Sequence, residues 1–265
     1  MIEGLKQKRG LIHGLYAHPI GHEAGIAQQT ERYVEVQRWF TPEQGTDLVI
    51  SSEEFTDVEK ASLAAILAYA RDPSNVDMEL MHCLDTAGTN LIDTSVGYKS
   101  AEVTDKMRNA IEAGCARMWH NHPSRGSISD SDWMLAGCTG RTEILAVTVS
   151  ETIYVGRMME WPDPFDAVMG ENFRRIAGDL DNVLQQHTLA NETFNERLDS
   201  AHLDGHLLNL SLAYCGVVRY AALLSSEDAK AMADADRVGL VAEGRRWANQ
   251  QICDALARHS AVSSN

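Results

Sequence analysis

The chain has 265 residues, enough for one large domain or two modest ones with a sizeable core. Its 44% apolar content is that of a soluble globular protein, and a net charge of −15 without a polybasic block speaks against a nucleic-acid-binding surface. Five scattered cysteines (Cys83, Cys115, Cys138, Cys215 and Cys253), with no Cys-x-x-Cys pair, suit free thiols in a reducing cytoplasm rather than a disulfide scaffold.

The opening MIEGLKQKRG has no apolar run after its charges and is not expected to be a signal peptide. Residues 1–50 read as an N-terminal extension, broken by Gly4, Gly10, Gly14, Gly21 and Gly25. His13, His18 and His22 gather around Pro19 at spacings that fit no metal-ligand pattern, so they are read as ordinary polar positions. Tyr33 to Phe40 alternates well enough for a strand or a helix end, and Thr41 to Gly45 reads as a turn.

Residues 51–160 carry an α/β pattern. Ser52 to Arg71 reads as a helix capped at Thr56-Asp57, with Ala61, Leu63, Ala64, Ile66, Leu67 and Tyr69 on its apolar face. Met78 to Leu84 and Leu91 to Val96 read as a hairpin turning at Asp85 to Thr89. A second helix is expected over Ser100 to Ala116, followed by a strand running into His120. After the loop come a short helix from Ser129 to about Leu135 and strands at Glu143 to Ser150 and Thr152 to Arg157. Trp119 and Trp133 are expected in the core.

Trp161-Pro162-Asp163-Pro164 reads as a boundary, and residues 161–265 as an all-helical module. Helices are expected over 164–186, 191–224 with a break at Gly205, and 227–259 with Ser226 as N-cap. Leu203, Leu207, Leu208, Leu210 and Leu212 suit burial against other helices, while His187, His202 and His206 read as ordinary polar positions. Asn209 and Arg219 inside the apolar run from Leu207 to Leu224 argue against a membrane span. The module's expected work is dimerisation or substrate capture, and the sequence does not choose between them.

The chemistry concentrates at residues 120–132, which read HNHPSRGSISDSD. On a strand, His120 and His122 leave on one face and Asn121 on the other. Asn121 is expected to orient the loop or to contact substrate backbone. Pro123 stops the strand, and on a helix Ser129 and Asp132 share one face of the first turn. Two imidazoles, a carboxylate and a hydroxyl can thus converge on one small volume. A catalytic zinc takes three such protein ligands and keeps one position open. The same Ser129–Asp132 spacing also fits a helix capping box, with Asp in place of Glu.

This HxHP, loop, SxxD arrangement resembles the signature of the JAMM (MPN/JAB domain) zinc metallopeptidases. The spelling HNHPS, with LDTAGTNLID and AIEAGCARMWHNHPS upstream, is most similar to the RadC-type bacterial branch. The resemblance implies a cytidine-deaminase-like α/β sandwich over residues 51–160, with residues 1–50 and 161–265 outside it. It implies zinc held by His120, His122 and Asp132, an oxyanion met by Ser129, and a general base at the start of the first strand. Glu79 occupies that place, with Asp77 as the alternative. The loop from Pro123 to Ile128 is one residue shorter than the family's usual spacing, which leaves Asp130, with Ser127 as its serine, as a second choice. The implied activity is hydrolysis of an isopeptide or peptide bond in a ubiquitin-like protein or its conjugate, in the cytoplasm. The alternatives are a RadC-like role in DNA metabolism and a non-catalytic interaction scaffold.

Overall fold

The computed structural model describes residues 41–43, 47–49, 55–123, 126–137, 142–158, 168–188 and 203–263. The expectations placed on residues 1–40, on His13, His18 and His22, on the Trp161–Pro164 boundary and on residues 191–202 lie outside them. Thr41 to Glu43, read as part of a turn, is instead a short strand β1 (Thr41–Glu43), paired antiparallel with β2 (Asp47–Val49).

The molecule is mixed α/β, built on a six-stranded mixed sheet. The strands are β3 (Met78–Asp85), β4 (Leu91–Tyr98), β5 (Ala116–His122), β6 (Glu143–Thr148), β7 (Ile153–Met158) and β8 (Val218–Leu223), in the spatial order β4-β3-β5-β6-β7-β8. Neighbouring strands are antiparallel except β5 and β6, which run parallel. A parallel pair cannot be joined by a tight turn and needs a crossover. That crossover holds the motif loop and a short helix over Asp130–Gly137.

The helix α1 (Asp57–Arg71) starts where Thr56 and Glu59 cap each other reciprocally, each side chain taking the other's backbone N–H. Leu63, Ile66 and Leu67 on its buried stripe, with Phe55, cover one face of the sheet at Leu80, Leu84, Trp119, Leu145, Val147 and Val155. The second helix, α2 (Asp105–Glu112), is shorter than the expected span from Ser100 to Ala116. Thr104 caps its start by accepting from the Met107 N–H, and Gly114, at φ +67°, turns the chain out toward β5. The third helix is α3 (Asp130–Gly137).

Beyond the sheet's first five strands come α4 (Glu171–Thr188), α5 (Leu203–Tyr214), α6 (Ser226–Arg237) and α7 (Leu240–Ser263). The expectation of helices alone here is corrected at one element. Gly216, at φ +75°, ends α5, with Gly216 N–H bonded to Ala213 O and Val217 N–H to Leu212 O. The chain then leaves as strand β8, which pairs with β7 from Met158↔Val218 to Ile153↔Leu223. The final expected helix is also two, divided at Gly239 (φ +79°), and the cap of α6 is Ser225 rather than Ser226.

Met81, Cys83, Met118, Ile144, Ala146 and Tyr154, on the sheet's second face, join one apolar core with Met107 and Ile111 of α2, Trp133 of α3 and Leu207, Leu208 and Leu212 of α5. Trp119 and Trp133 are both fully buried, on opposite faces. No helix of the described residues is long and apolar enough to cross a membrane.

Candidate metal centre

All seven residues of β5 are buried, and its C-terminal end delivers His120 and His122 to the same face as Met118. The motif loop then brings α3 back so that Asp132, in its first turn, meets both rings. The Nε2 atoms of His120 and His122 lie 2.8 Å apart. Asp132 Oδ1 is 3.2 Å from His120 Nε2, and Asp132 Oδ2 is 3.1 Å from His122 Nε2. All three side chains are buried.

A tetrahedral zinc with bonds of about 2.0–2.1 Å separates its ligand atoms by roughly 3.3–3.4 Å. The three spacings here fall a few tenths of an ångström short of that edge, so a slight opening of the cluster makes the donor set fit such an ion. His122 Nδ1 lies 2.9 Å from the Gly126 carbonyl. A carbonyl only accepts, so Nδ1 carries the proton and the neutral ring turns the lone pair of Nε2 to the cluster, as a ligating histidine requires.

The electrostatics describe a charged cluster in a dry place. Burial disfavours an imidazolium at His122, but the Asp132 carboxylate and the Gly126 carbonyl outweigh it and push the ring up to about 9. Burial likewise opposes the Asp132 carboxylate, yet the two histidines hold it well below the ordinary carboxylate range. Without an ion, proton and carboxylate neutralise each other. A divalent cation would take the proton's place.

Glu79 joins this group through strand register. Met81 pairs with His120 across β3 and β5, so Glu79, two residues earlier on β3, points to the same face as the two histidines. It is buried, and burial raises its pKa, against the pull of His120, His122 and the Ala101 N–H. Asp77 is exposed at the foot of the strand. Asn121, on the other side of β5, donates through Nδ2 to Met78 O (3.0 Å) and accepts at Oδ1 from Leu80 N–H (2.8 Å). Its carboxamide therefore grips the β3 backbone on both sides of Glu79, beyond the point where the two strands cease to pair.

Ser129 is tied to Asp132 at three points. Its N–H and its Oγ donate to Asp132 Oδ2 at 2.8 and 2.6 Å, and Oγ accepts from Asp132 N–H at 3.3 Å. The capping arrangement and the site arrangement are thus the same two residues. The second-choice pair goes elsewhere: Asp130 faces Arg174 of α4, with Oδ2 3.4 Å from Nε, and Ser127 is bonded to Asn209 of α5. Of the residues singled out from the sequence, the structure brings His120, His122 and Asp132 together, sets Glu79 close enough to interact with all three, and bonds Ser129 to Asp132. Sequence reasoning passed over the Gly126 carbonyl and Asn209.

Comparison of the chain with protein-family models, with curated proteins and with solved structures finds no match.

Proposed function

We propose that this chain is a zinc-dependent metallopeptidase of the JAMM type, acting on an isopeptide or peptide bond of a ubiquitin-like protein or its conjugate. One observation carries the reading: two imidazoles and a carboxylate meet at a buried point, with the Glu79 carboxylate close enough to interact with all three. The JAMM-like sandwich is supported by the succession of hairpin, helix, motif strand, short helix and strand pair around one sheet.

His120, His122 and Asp132 would hold the ion. When bound, zinc supplies a Lewis acid that polarises a scissile carbonyl and acidifies water. Glu79 receives the proton from the attacking water and passes it to the departing amine. Its burial suits the second half of that task, because a carboxyl that tolerates protonation keeps the proton until the amine takes it. The Ser129 hydroxyl gives its one proton to Asp132 Oδ2, and it would have to turn from that carboxylate to donate to the developing oxyanion. A cytoplasmic setting goes with the reading, and Cys83, Cys115, Cys215 and Cys253 are free thiols.

The test joins metal analysis of the purified protein to cleavage of ubiquitin-like isopeptide conjugates. Bound zinc, cleavage, and loss of cleavage with retained zinc in Glu79→Gln are expected. Full activity in Glu79→Gln would overturn the assignment of the base. Zinc binding without amide cleavage, but with salt-dependent DNA binding, would favour the RadC-like role in DNA metabolism. A folded protein that takes up no metal would leave the interaction scaffold.

A further inference from the structure

One side chain of α5 reaches the motif from 77 residues beyond Asp132 (209 − 132). Asn209 is fully buried. Its Nδ2 donates to Ser127 Oγ at 2.9 Å and to Ile128 O at 2.8 Å, and its Oδ1 accepts from Trp133 Nε1 at 2.8 Å. Both N–H groups and the oxygen of the carboxamide are in use. Its partners bracket the site: Ser127 and Ile128 precede Ser129, and Trp133 follows Asp132. Gly205, one turn earlier on α5, leaves room for the same contact, since a Cβ there would stand 3.0 Å from Ser127 Oγ.

The stretch from Gly126 to Ser129 belongs to no helix or strand, so no ladder fixes its backbone. Yet Gly126 supplies the carbonyl that sets the His122 tautomer, and Ser129 supplies the bonds that orient Asp132. A core asparagine kept only for packing would need a partner of any kind. This one spends two bonds on the loop that joins the second imidazole to the carboxylate and the third on the residue just after Asp132.

We infer that Asn209 is a positioning residue for the metal centre, holding the motif loop and the first turn of α3 so that His122 Nε2 and the Asp132 carboxylate are aimed at one ion. The inference rests on the metal-centre reading but not on the peptidase reading. Loss of a hydrogen bond made directly to a metal ligand costs about 10–100-fold in metal affinity, and Asn209, one step further out, falls at the lower end of that range.

The experiment strips the full chain of metal with a chelator and titrates it with Co²⁺, read by visible absorption, with Zn²⁺ measured by competition. Wild type, Asn209→Ala, Asn209→Asp and the remote core variant Met232→Ala are compared, each with its metal-free melting curve. Both Asn209 variants are expected to lose about tenfold or more in affinity and to shift the Co²⁺ spectrum. Met232→Ala should melt earlier with affinity unchanged. If the Asn209 variants fail to fold, Ser127→Ala and Trp133→Phe remove the network's partners singly, and each should weaken Co²⁺ binding. Wild-type affinity and spectrum in folded Asn209→Ala, or in both partner variants, overturn the inference. So does a loss in Met232→Ala equal to that in Asn209→Ala. Absence of Co²⁺ binding in the wild type would instead remove the metal centre, and this inference with it.

Discussion

Gly156 of β7 lies against the indole of Trp133. A Cβ at that position would come 2.6 Å from Ile128 Cδ1 and closer still to the Trp133 ring. The glycine is the space into which the first turns of α3 are packed, and Asp132 is the neighbour of that tryptophan. Gly156→Ala should therefore destabilise by about 1–3 kcal/mol through overpacking. It should weaken metal binding as well, because the helix carrying Asp132 has to move. Urea unfolding and Co²⁺ titration on one sample read the two effects separately, and unchanged stability would contradict the packing.

Much of this was readable in the sequence and some was not, for identifiable reasons. His120 and His122 were placed by strand parity alone, and Ser129 and Asp132 by helical spacing, because both rules act within a few residues. Glu79, with Asp77 beside it, was reached through the JAMM resemblance, which puts a glutamate at the head of the first strand, and not through a local rule. Strand β8 was missed because Val217 to Leu224 is as apolar as the helix before it, and an apolar run does not declare its period. The usable signal was Gly216, just past the last helical repeat and ahead of Val217 and Val218. Asn209 could not be found in this way. It looked like a polar interruption in a leucine-rich helix, and its partners lie more than seventy residues away in the chain.

A buried ion pair ties α1 to the same strand that carries the histidines. Arg117 Nη1 lies 2.6 Å from Glu59 Oε1, and Glu59 Oε2 accepts from the Thr56 N–H at 2.7 Å. Arg117→Met would leave the Glu59 carboxylate buried without its guanidinium, at a cost of about 3–5 kcal/mol. Adding Glu59→Leu should recover part of that loss in chemical denaturation. A near-neutral single variant would contradict the pairing.

His206 gives the fold an acid limit of its own. It is fully buried with Nδ1 2.8 Å from Tyr220 Oη, and burial, followed by the charge of Arg245, lowers its pKa to about 3. A folded pKa below the unfolded one means that the unfolded chain binds the proton more readily. The contribution is therefore complete above about 6.5 and is lost as pH falls toward 3, at about 1.4 kcal/mol per pH unit inside that window. His206→Gln should flatten the dependence of melting temperature on pH between those limits, and an equally steep profile would speak against a neutral buried ring.

Cys215, in the turn after α5, and Cys253 of α7 stand with their sulfurs 3.4 Å apart. Burial, with the second thiol beside it, holds the Cys215 thiol well above its ordinary range, so exposed Cys253 is the one to attack an added disulfide. Treatment with oxidised glutathione should form an intramolecular bridge, with two molecules of reduced glutathione released. Thiol counting and peptide mass spectrometry would detect it. Closing a loop of 38 residues should stabilise the chain by about 3–4 kcal/mol. Recovery of both Cys215 and Cys253 as free thiols after oxidation would rule the contact out.

The pairing of β8 with β7 makes the chain's last third the source of one edge strand of its sheet. A chain cut after Met158 would keep every proposed ligand and still lose this strand. It would present the whole outer rim of β7, an unpaired row of amides and carbonyls, as a template for a neighbouring molecule. The loop holding Ser127 and Ile128 would at the same moment lose its only described side-chain anchor in α5. Such a fragment should accumulate as self-associated material rather than as a smaller folded protein.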